Sequence, residues 1–318
     1  MEFRFEVALC SWLEATTEWL VARQLGGAVA SPGSRIVDVC CLEPGPEFDQ
    51  RTRITSQEIP SLAIESDVGL GEAVFWRDAF DCSADHARSV IERAVDCGFF
   101  ETEYRNGRQY VRQTTRYPDW IGRLVGIENK PDLGRPGDLD RQLRLDVSLG
   151  LFDEVILATK SYVTRAHLNR LPEAVGVWRF DPDSGERTVV RESTPLSTAE
   201  PGVELLDSKP LRTDIEFVTP AQKEEKQRRI AERAYGKGWR NYEFPACQRM
   251  TATDDGRPHC SWFDCVVNPA VDCGSNCEGF ESGASPAVDL EALRDSRSRW
   301  VADPEGVSRT QSGLDRFS

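Results

Sequence analysis

Lysine is almost missing from this chain: six residues in 318, against 33 arginines. Histidine occurs three times. No run approaches the ~20 apolar residues that a membrane-spanning helix needs, so no membrane partner is expected. The start, Met1-Glu2-Phe3-Arg4-Phe5-Glu6, alternates charge and lacks the apolar stretch of a signal peptide; the expected location is the cytoplasm. Also missing are a Ser-His-Asp order, a phosphate-cradling glycine loop, a dinucleotide fingerprint and an internal repeat, which removes several common enzyme classes. What is abundant is acid: 53 Asp and Glu against 39 Lys and Arg, a net charge of -14. Carboxylate excess with Arg in place of Lys suits the surface of a protein from a salt-accumulating, halophilic cell, where salt screens the self-repulsion. Such a body can still carry a basic groove, although counterion release yields little affinity in concentrated salt.

Ten cysteines in a cytosolic chain point to core packing or metal ligation rather than disulfides. Cys10, Cys40, Cys41, Cys82 and Cys97 lie among apolar residues and read as core. None follows until Cys247, Cys260, Cys265, Cys273 and Cys277, which read as a site.

Residues 3–20 carry apolar side chains at helical spacing. Extended segments follow near Val21–Leu25 and Ser34–Leu42; the second, SRIVDVCCL, reads as a buried strand with Asp38 in its middle. Residues 56–113 look like an inserted module. GLGEAVFWRDAF suggests a helix, Ser83 can cap a second one closed by Gly98, and Asn106-Gly107 marks a hairpin. Helix, helix, hairpin is the order of a winged-helix domain, which this stretch resembles. Then come a strand ending in Ile127-Glu128-Asn129-Lys130, a helix capped by Asp138, a strand at 153–159 and a hairpin around 181–185. Residues 192–215 read as a Pro-rich connection, and 219–240 as a charged, largely solvated helix after Thr219-Pro220. From about Gly279 onward the chain is polar and reads as extended or unstructured.

On a strand, Glu128 and Lys130 share a face. A strand end with a carboxylate and an ammonium side by side suits phosphodiester hydrolysis. The Glu and a neighbouring Asp bind Mg²⁺ through hard oxygens, and the Lys orients water or offsets phosphate charge. Two residues compete to be the Asp. Asp119 follows Pro118 nine residues before Glu128, and Asp38 sits mid-strand, where an acid is costly unless paired, with Arg35 or another Arg, or bound to metal. Glu14 is a lesser candidate acid, expected to face solvent.

Pro118-Asp119, Glu128-x-Lys130 and the order helix, strands, helix, strand together resemble the PD-(D/E)xK nuclease superfamily. The resemblance covers roughly residues 1–55 and 114–192. It implies an α/β fold with a restriction-endonuclease-like mixed sheet flanked by helices, and an Mg²⁺-dependent hydrolase of nucleic acid, DNA first. The implied site is Asp38 or Asp119 with Glu128 and Lys130. Gln142 matches the first position of the Q-x-x-x-Y motif of a recB-like subset, but position 146 is Asp rather than Tyr. The whole chain also resembles a family of unknown function seen in halophilic archaea. The alternative function is an inactive scaffold of this kind that binds DNA or protein.

Two further parts complete the expected organisation, in which residues 193–280 hold the linker, charged helix and cysteines and 281–318 a polar tail. Cys247, Cys260, Cys273 and Cys277 present four soft ligands for Zn²⁺ or an iron–sulfur cluster in a C-terminal Cys-rich lobe, with Cys265 and His259 spare. Some recB-like relatives staple their fold with four Cys, at other spacings. In the winged-helix-like module, Arg88 and Arg93 on the second helix and Arg105, Arg108 and Arg112 on the hairpin could contact phosphates, with Glu92, Asp96, Glu101 and Glu103 interrupting the field.

Overall fold

Phe5, Leu9 and Leu13 recur at helical spacing with Val7 and Cys10 between them, and all five are buried on α1 (Glu2–Thr16). In the computed structural model, which describes residues 2–209 and 211–306 apart from the side chains of Ser208 and Lys209, α1 leads into β1 (Leu20–Gly26) and β2 (Ile36–Pro44). Val37, Val39 and Cys41 alternate along β2 with Cys40 and Leu42, and all five are buried; a strand covered on both faces sits inside a sheet.

The chain divides here into two units, Met1–Pro44 with Ile121–Arg299, and Gly45–Trp120 with the stretch from Trp300 onward. The second is therefore wider than the expected 56–113. It contains α2 (Phe48–Thr52), α3 (Ser61–Glu65), β3 (Val74–Phe75), a 3-10 turn at Trp76–Asp78, α4 (Ala84–Asp96), β4 (Phe100–Arg105) and β5 (Arg108–Gln113). Its strands form an antiparallel sheet in the order β3-β5-β4. The expected cap holds, since Ser83 Oγ accepts the His86 N–H at 3.4 Å. Asn106 and Gly107 both take positive φ, as the tight hairpin requires. GLGEAVFWRDAF is not the expected helix. Val74 and Phe75 pair with Val111 and Tyr110, so a sheet edge claims the residues that local propensity left ambiguous.

The first unit resumes with β6 (Ile121–Asn129), α5 (Leu139–Leu149), β7 (Glu154–Thr159), α6 (Arg165–Leu168), β8 (Gly176–Phe180) and β9 (Arg187–Arg191). The six strands order as β1-β2-β6-β7-β8-β9. β1 with β2 and β2 with β6 pair antiparallel, β6-β7 and β7-β8 parallel, and β8-β9 antiparallel. This is a mixed α/β fold. On one face Val39, Cys41, Val125, Ile127 and Ile156 join the α1 side chains in a single core. On the other lie Leu124, Gly126 and Glu128; a Cβ on Gly126 would come within 3.0 Å of the Phe152 ring, so only glycine lets that ring lie on the strand. Asp138 begins α5 as expected, though without a side-chain capping bond.

β10 (Gly202–Lys209) and β11 (Arg212–Val218) form an antiparallel ribbon where a Pro-rich connection was expected; the eight residues 202–209 between Pro201 and Pro210 contain no proline. α7 (Pro220–Lys237) opens with a reciprocal Thr219–Gln222 capping box. It is not largely solvated: Ile230, Ala231, Ala234 and Tyr235 are buried, and the helix packs on β1, β2 and β6. A three-stranded sheet of β12 (Met250–Ala252), β13 (Pro258–Cys260) and β14 (Cys265–Val266) follows, then α8 (Pro269–Asp272). The expected polar tail folds in part as α9 (Leu290–Arg297), capped by Asp289; its residues 307–318 lie outside the described ones. Among the described residues no helix is long and apolar enough to cross a membrane.

Candidate active site

The register of β2 on β6 fixes the centre of the site. Val39 pairs with Ile127 and Cys40 with Gly126, which sets Asp38 directly opposite Glu128 on the sheet face away from α1. Asp38 Oδ2 accepts the Asn129 backbone N–H at 2.9 Å. Its Oδ1 accepts from Gln24 Nε2 at 3.4 Å, and Gln24 stands across from it on β1 in a left-handed conformation, φ 57°. Glu128 Oε2 accepts from Arg35 Nη2 at 2.6 Å. The same guanidinium forks onto Asp146 of α5, Nε to Oδ1 at 3.0 Å and Nη2 to Oδ2 at 2.6 Å. On the α1 face, Asn129 Nδ2 donates to Glu6 Oε2 at 2.9 Å, and Glu6 is paired with Arg23 at 2.5 Å.

Too much acid is buried here for its cations. Glu128 is 6% exposed and Asp146 3%. Burial, followed by the neighbouring Asp38 charge, pushes the Glu128 carboxyl up to about 8 against the pull of Arg35. Burial also raises Asp38, opposed by the Asn129 N–H, the Arg35 charge and a hydrogen bond from Glu128. Burial thus raises both carboxyls, and the Asp38 charge raises Glu128 further. Asp146 and Glu6 are raised by burial too. Burial works against the Arg35 charge, but its bonds to Asp146 and the charges of Asp146 and Glu128 outweigh that, so Arg35 is held more firmly cationic.

The donors suit a hard divalent cation. Asp38 and Glu128 face each other across the β2–β6 pair and present hard carboxylate oxygens, while the unpartnered Asn129 Oδ1 lies on the opposite, α1 face of the sheet. Among the described residues no three His, Cys, Asp or Glu side chains are grouped to hold a metal ion. Asp38 and Glu128 are thus two facing carboxylates without a third such side chain grouped with them.

The model of a family of unknown function, DUF5787, matches residues 20–282. The chain belongs to DUF5787. No curated protein and no solved structure matches it. The matched span includes β1, β2 and β6, hence Gln24, Arg35, Asp38, Glu128 and Asp146, while Glu6 on α1 precedes it.

The other expected residues of this DUF5787 chain are dispersed. Lys130 lies just past the end of β6, and its Nζ pairs with Glu2 of α1 at 2.7 Å rather than joining the Glu128 network. It lines a cavity of about 470 Å³ with Phe3, Asp132 and Arg135. Gln142 is half-buried on α5; the α5 residue that reaches the site is Asp146, one turn on. Asp119 belongs to the second unit, where its N–H donates to Glu47. Glu14 does not face solvent. It is 5% exposed and accepts from Arg240 at 2.8 and 2.5 Å and from Trp239 Nε1 at 3.0 Å.

In the second unit, Arg88 pairs with Asp85 at 3.4 Å, Arg105 with Glu72 at 3.1 Å and Glu103 at 2.5 Å, and Arg112 with Glu101. Arg108 lies over the Phe75 ring, and Arg93 is exposed on α4. Much of the expected basic field is thus already neutralised. All ten cysteines are free thiols. Cys10, Cys40, Cys41 and Cys97 are core, but Cys82 is exposed, against expectation, because it precedes the Ser83 cap in a polar loop. Cys247 and Cys260 share a small buried cluster with Met250 and Val267, packed by Cys265 and Cys273. Burial, then the neighbouring Cys260, Cys277 and Cys247, push the Cys273 thiol up to about 11.

Sequence reasoning missed Asp146, Gln24 and Glu6, and it offered Arg35 as a partner for Asp38, whereas the guanidinium bonds Glu128 and Asp146. One signal was present: Asp146 interrupts the apolar stripe Leu139, Leu143 and Leu149 of α5, where a solvated acid does not belong.

Proposed function

We propose that this DUF5787 chain is a Mg²⁺-dependent hydrolase of phosphodiester bonds in nucleic acid, with Asp38 and Glu128 as its cation-holding pair. The observation that carries the reading is that pair: two carboxylates from adjacent antiparallel strands, Glu128 buried and Asp38 half-buried beside it, with one guanidinium bonded to Glu128. The strand order supports it. α1, β1, β2, then β6, α5 and β7, with two antiparallel pairings and one parallel, is the arrangement that a restriction-endonuclease-like, PD-(D/E)xK core has. Asp38 then takes the role that Asp119 shared at the level of sequence. In the second unit, α3, β3, α4 and the β4–β5 hairpin, with β3 paired to β5, are compatible with a winged helix.

When bound, Mg²⁺ supplies charge stabilisation for the phosphate oxygens and lowers the pKa of an attacking water. The protein's own residues do the rest. Asp38 is fixed by the Asn129 N–H and Gln24, and Glu128 is held by Arg35. Lys130 stands outside this pair, bound to Glu2 of α1.

The test is cleavage of DNA and RNA by the full chain in concentrated KCl with and without Mg²⁺. Cleavage that requires Mg²⁺ and is lost in Glu128→Gln and Asp38→Asn supports the proposal; cleavage unchanged by both substitutions refutes it. A second reading, an inactive scaffold that binds DNA or protein, is favoured by one feature: the Arg35 guanidinium already occupies Glu128 Oε2, where a cation would bind. Absence of cleavage under all conditions, with the fold intact, selects it.

A further inference from the structure

The chain departs from the Q-x-x-x-Y pattern at position 146, and the structure gives that departure a use. Asp146 is 3% exposed on α5, and among the described residues its carboxylate bonds the Arg35 guanidinium, which it grips in a two-bonded fork. Arg35 is equally buried and stands three residues before Asp38, at the entry to β2. Its Nη2 serves two acids at once, Asp146 Oδ2 and Glu128 Oε2, each at 2.6 Å. One planar group therefore ties the helix after the Glu128 strand to that strand and to the segment leading into Asp38.

We propose that Arg35 and Asp146 act as one positioning unit, holding Glu128 by Oε2 so that its other oxygen is presented beside Asp38 to a divalent cation. This rests on the reading of Asp38 and Glu128 as the cation-holding pair. Geometry makes the unit specific to arginine. A guanidinium bonds two carboxylates in fixed directions, whereas a lysine ammonium supplies the charge without the fork. Asp146 sets the plane of the fork, and Asp146→Glu would keep the charge while moving the bonding oxygens by a methylene.

Neither residue touches the substrate, so charge-conserving variants read the role cleanly. The measurement is Mn²⁺ affinity by electron paramagnetic resonance on the full chain, for wild type, Arg35→Lys, Asp146→Glu and the double variant. Thermal unfolding is followed in parallel, and Arg123→Lys, an exposed residue paired with Glu43 and Glu154, is the control. Residues that orient a metal ligand typically matter by ~10–100-fold in affinity. Each single variant is expected to weaken Mn²⁺ binding by about that factor, and the double variant by no more than the worse single one, because the two act together. The control is expected to bind as wild type does. Unchanged affinity in both single variants overturns the inference while leaving the cation pair standing. Tighter binding in Arg35→Lys also overturns it and marks Arg35 as a cation in the metal's place. Should Arg35→Lys fail to fold, Asp146→Glu decides alone. A wild type that binds no Mn²⁺ overturns the reading of the pair, and the inference with it.

Discussion

Replacing Glu128 by Gln gives the most quantitative handle on this site. In the folded chain the Glu128 carboxyl is pushed up to about 8 from an ordinary 4.5. Between those two values the folded state holds a proton that the unfolded state has lost. Stability from this group is thus complete below pH 4.5 and drains away as pH rises through 8. The slope is about 1.4 kcal/mol per pH unit, so roughly 3 kcal/mol is lost between pH 5 and 7.5. Gln has nearly the shape of the protonated acid and cannot ionise. Near pH 5 the two proteins are expected to match closely, and by pH 7.5 Glu128→Gln is expected to be the more stable by a few kcal/mol. Urea unfolding of both proteins across pH 5–8.5, at fixed salt and without divalent ions, measures this difference, in which the other raised acids largely cancel. Added Mg²⁺ narrows the gap by favouring the ionised wild type. A difference that does not vary with pH refutes the argument, since Glu128 would then be titrating as an ordinary surface acid.

Three other outcomes are expected. Glu14→Ala strands the buried Arg240 guanidinium and costs about 3–5 kcal/mol of unfolding free energy; a loss under 1 kcal/mol contradicts the pairing. Arg105→Ala with Arg108→Ala changes DNA affinity and its salt slope little, because Arg105 is already committed to Glu72 and Glu103; a slope reduced by about 2 would mean two lost phosphate contacts. The Zn²⁺ or iron–sulfur staple expected on Cys247, Cys260, Cys273 and Cys277 is tested by metal analysis of chain purified anaerobically. About one zinc, or iron with sulfide, per chain supports it and metal-free chain refutes it; among the described residues no three such ligands are grouped.

Much of the central sheet is legible in the sequence because its signals are local. SRIVDVCCL is apolar on both faces and became β2; the hairpin turned where Asn106-Gly107 said it would; Thr219-Pro220 opened α7. What escaped depends on partners distant in the chain. Val74 and Phe75 are a strand only because β5 lies beside them. α7 looks solvated by composition, yet it packs on three strands through Ile230, Ala231, Ala234 and Tyr235. Glu14 looked like a surface acid on α1 until Arg240, 226 residues later, came to rest on it. At the site itself, Asp38 and Glu128 were visible as acids on apolar strands, but their opposition follows from the β2–β6 register, which no single segment encodes. In sequence Arg35 is merely a cation near Asp38, and its fork onto Asp146 spans 111 residues.

Diffraction from crystals soaked in Mn²⁺, recorded at an energy where manganese scatters anomalously, asks the decisive question of where the ion goes. The account requires a peak between the carboxyl groups of Asp38 and Glu128, absent from crystals of Glu128→Gln. Full manganese sites elsewhere, with only the Arg35 guanidinium against Glu128 and no density between the two acids, would contradict it.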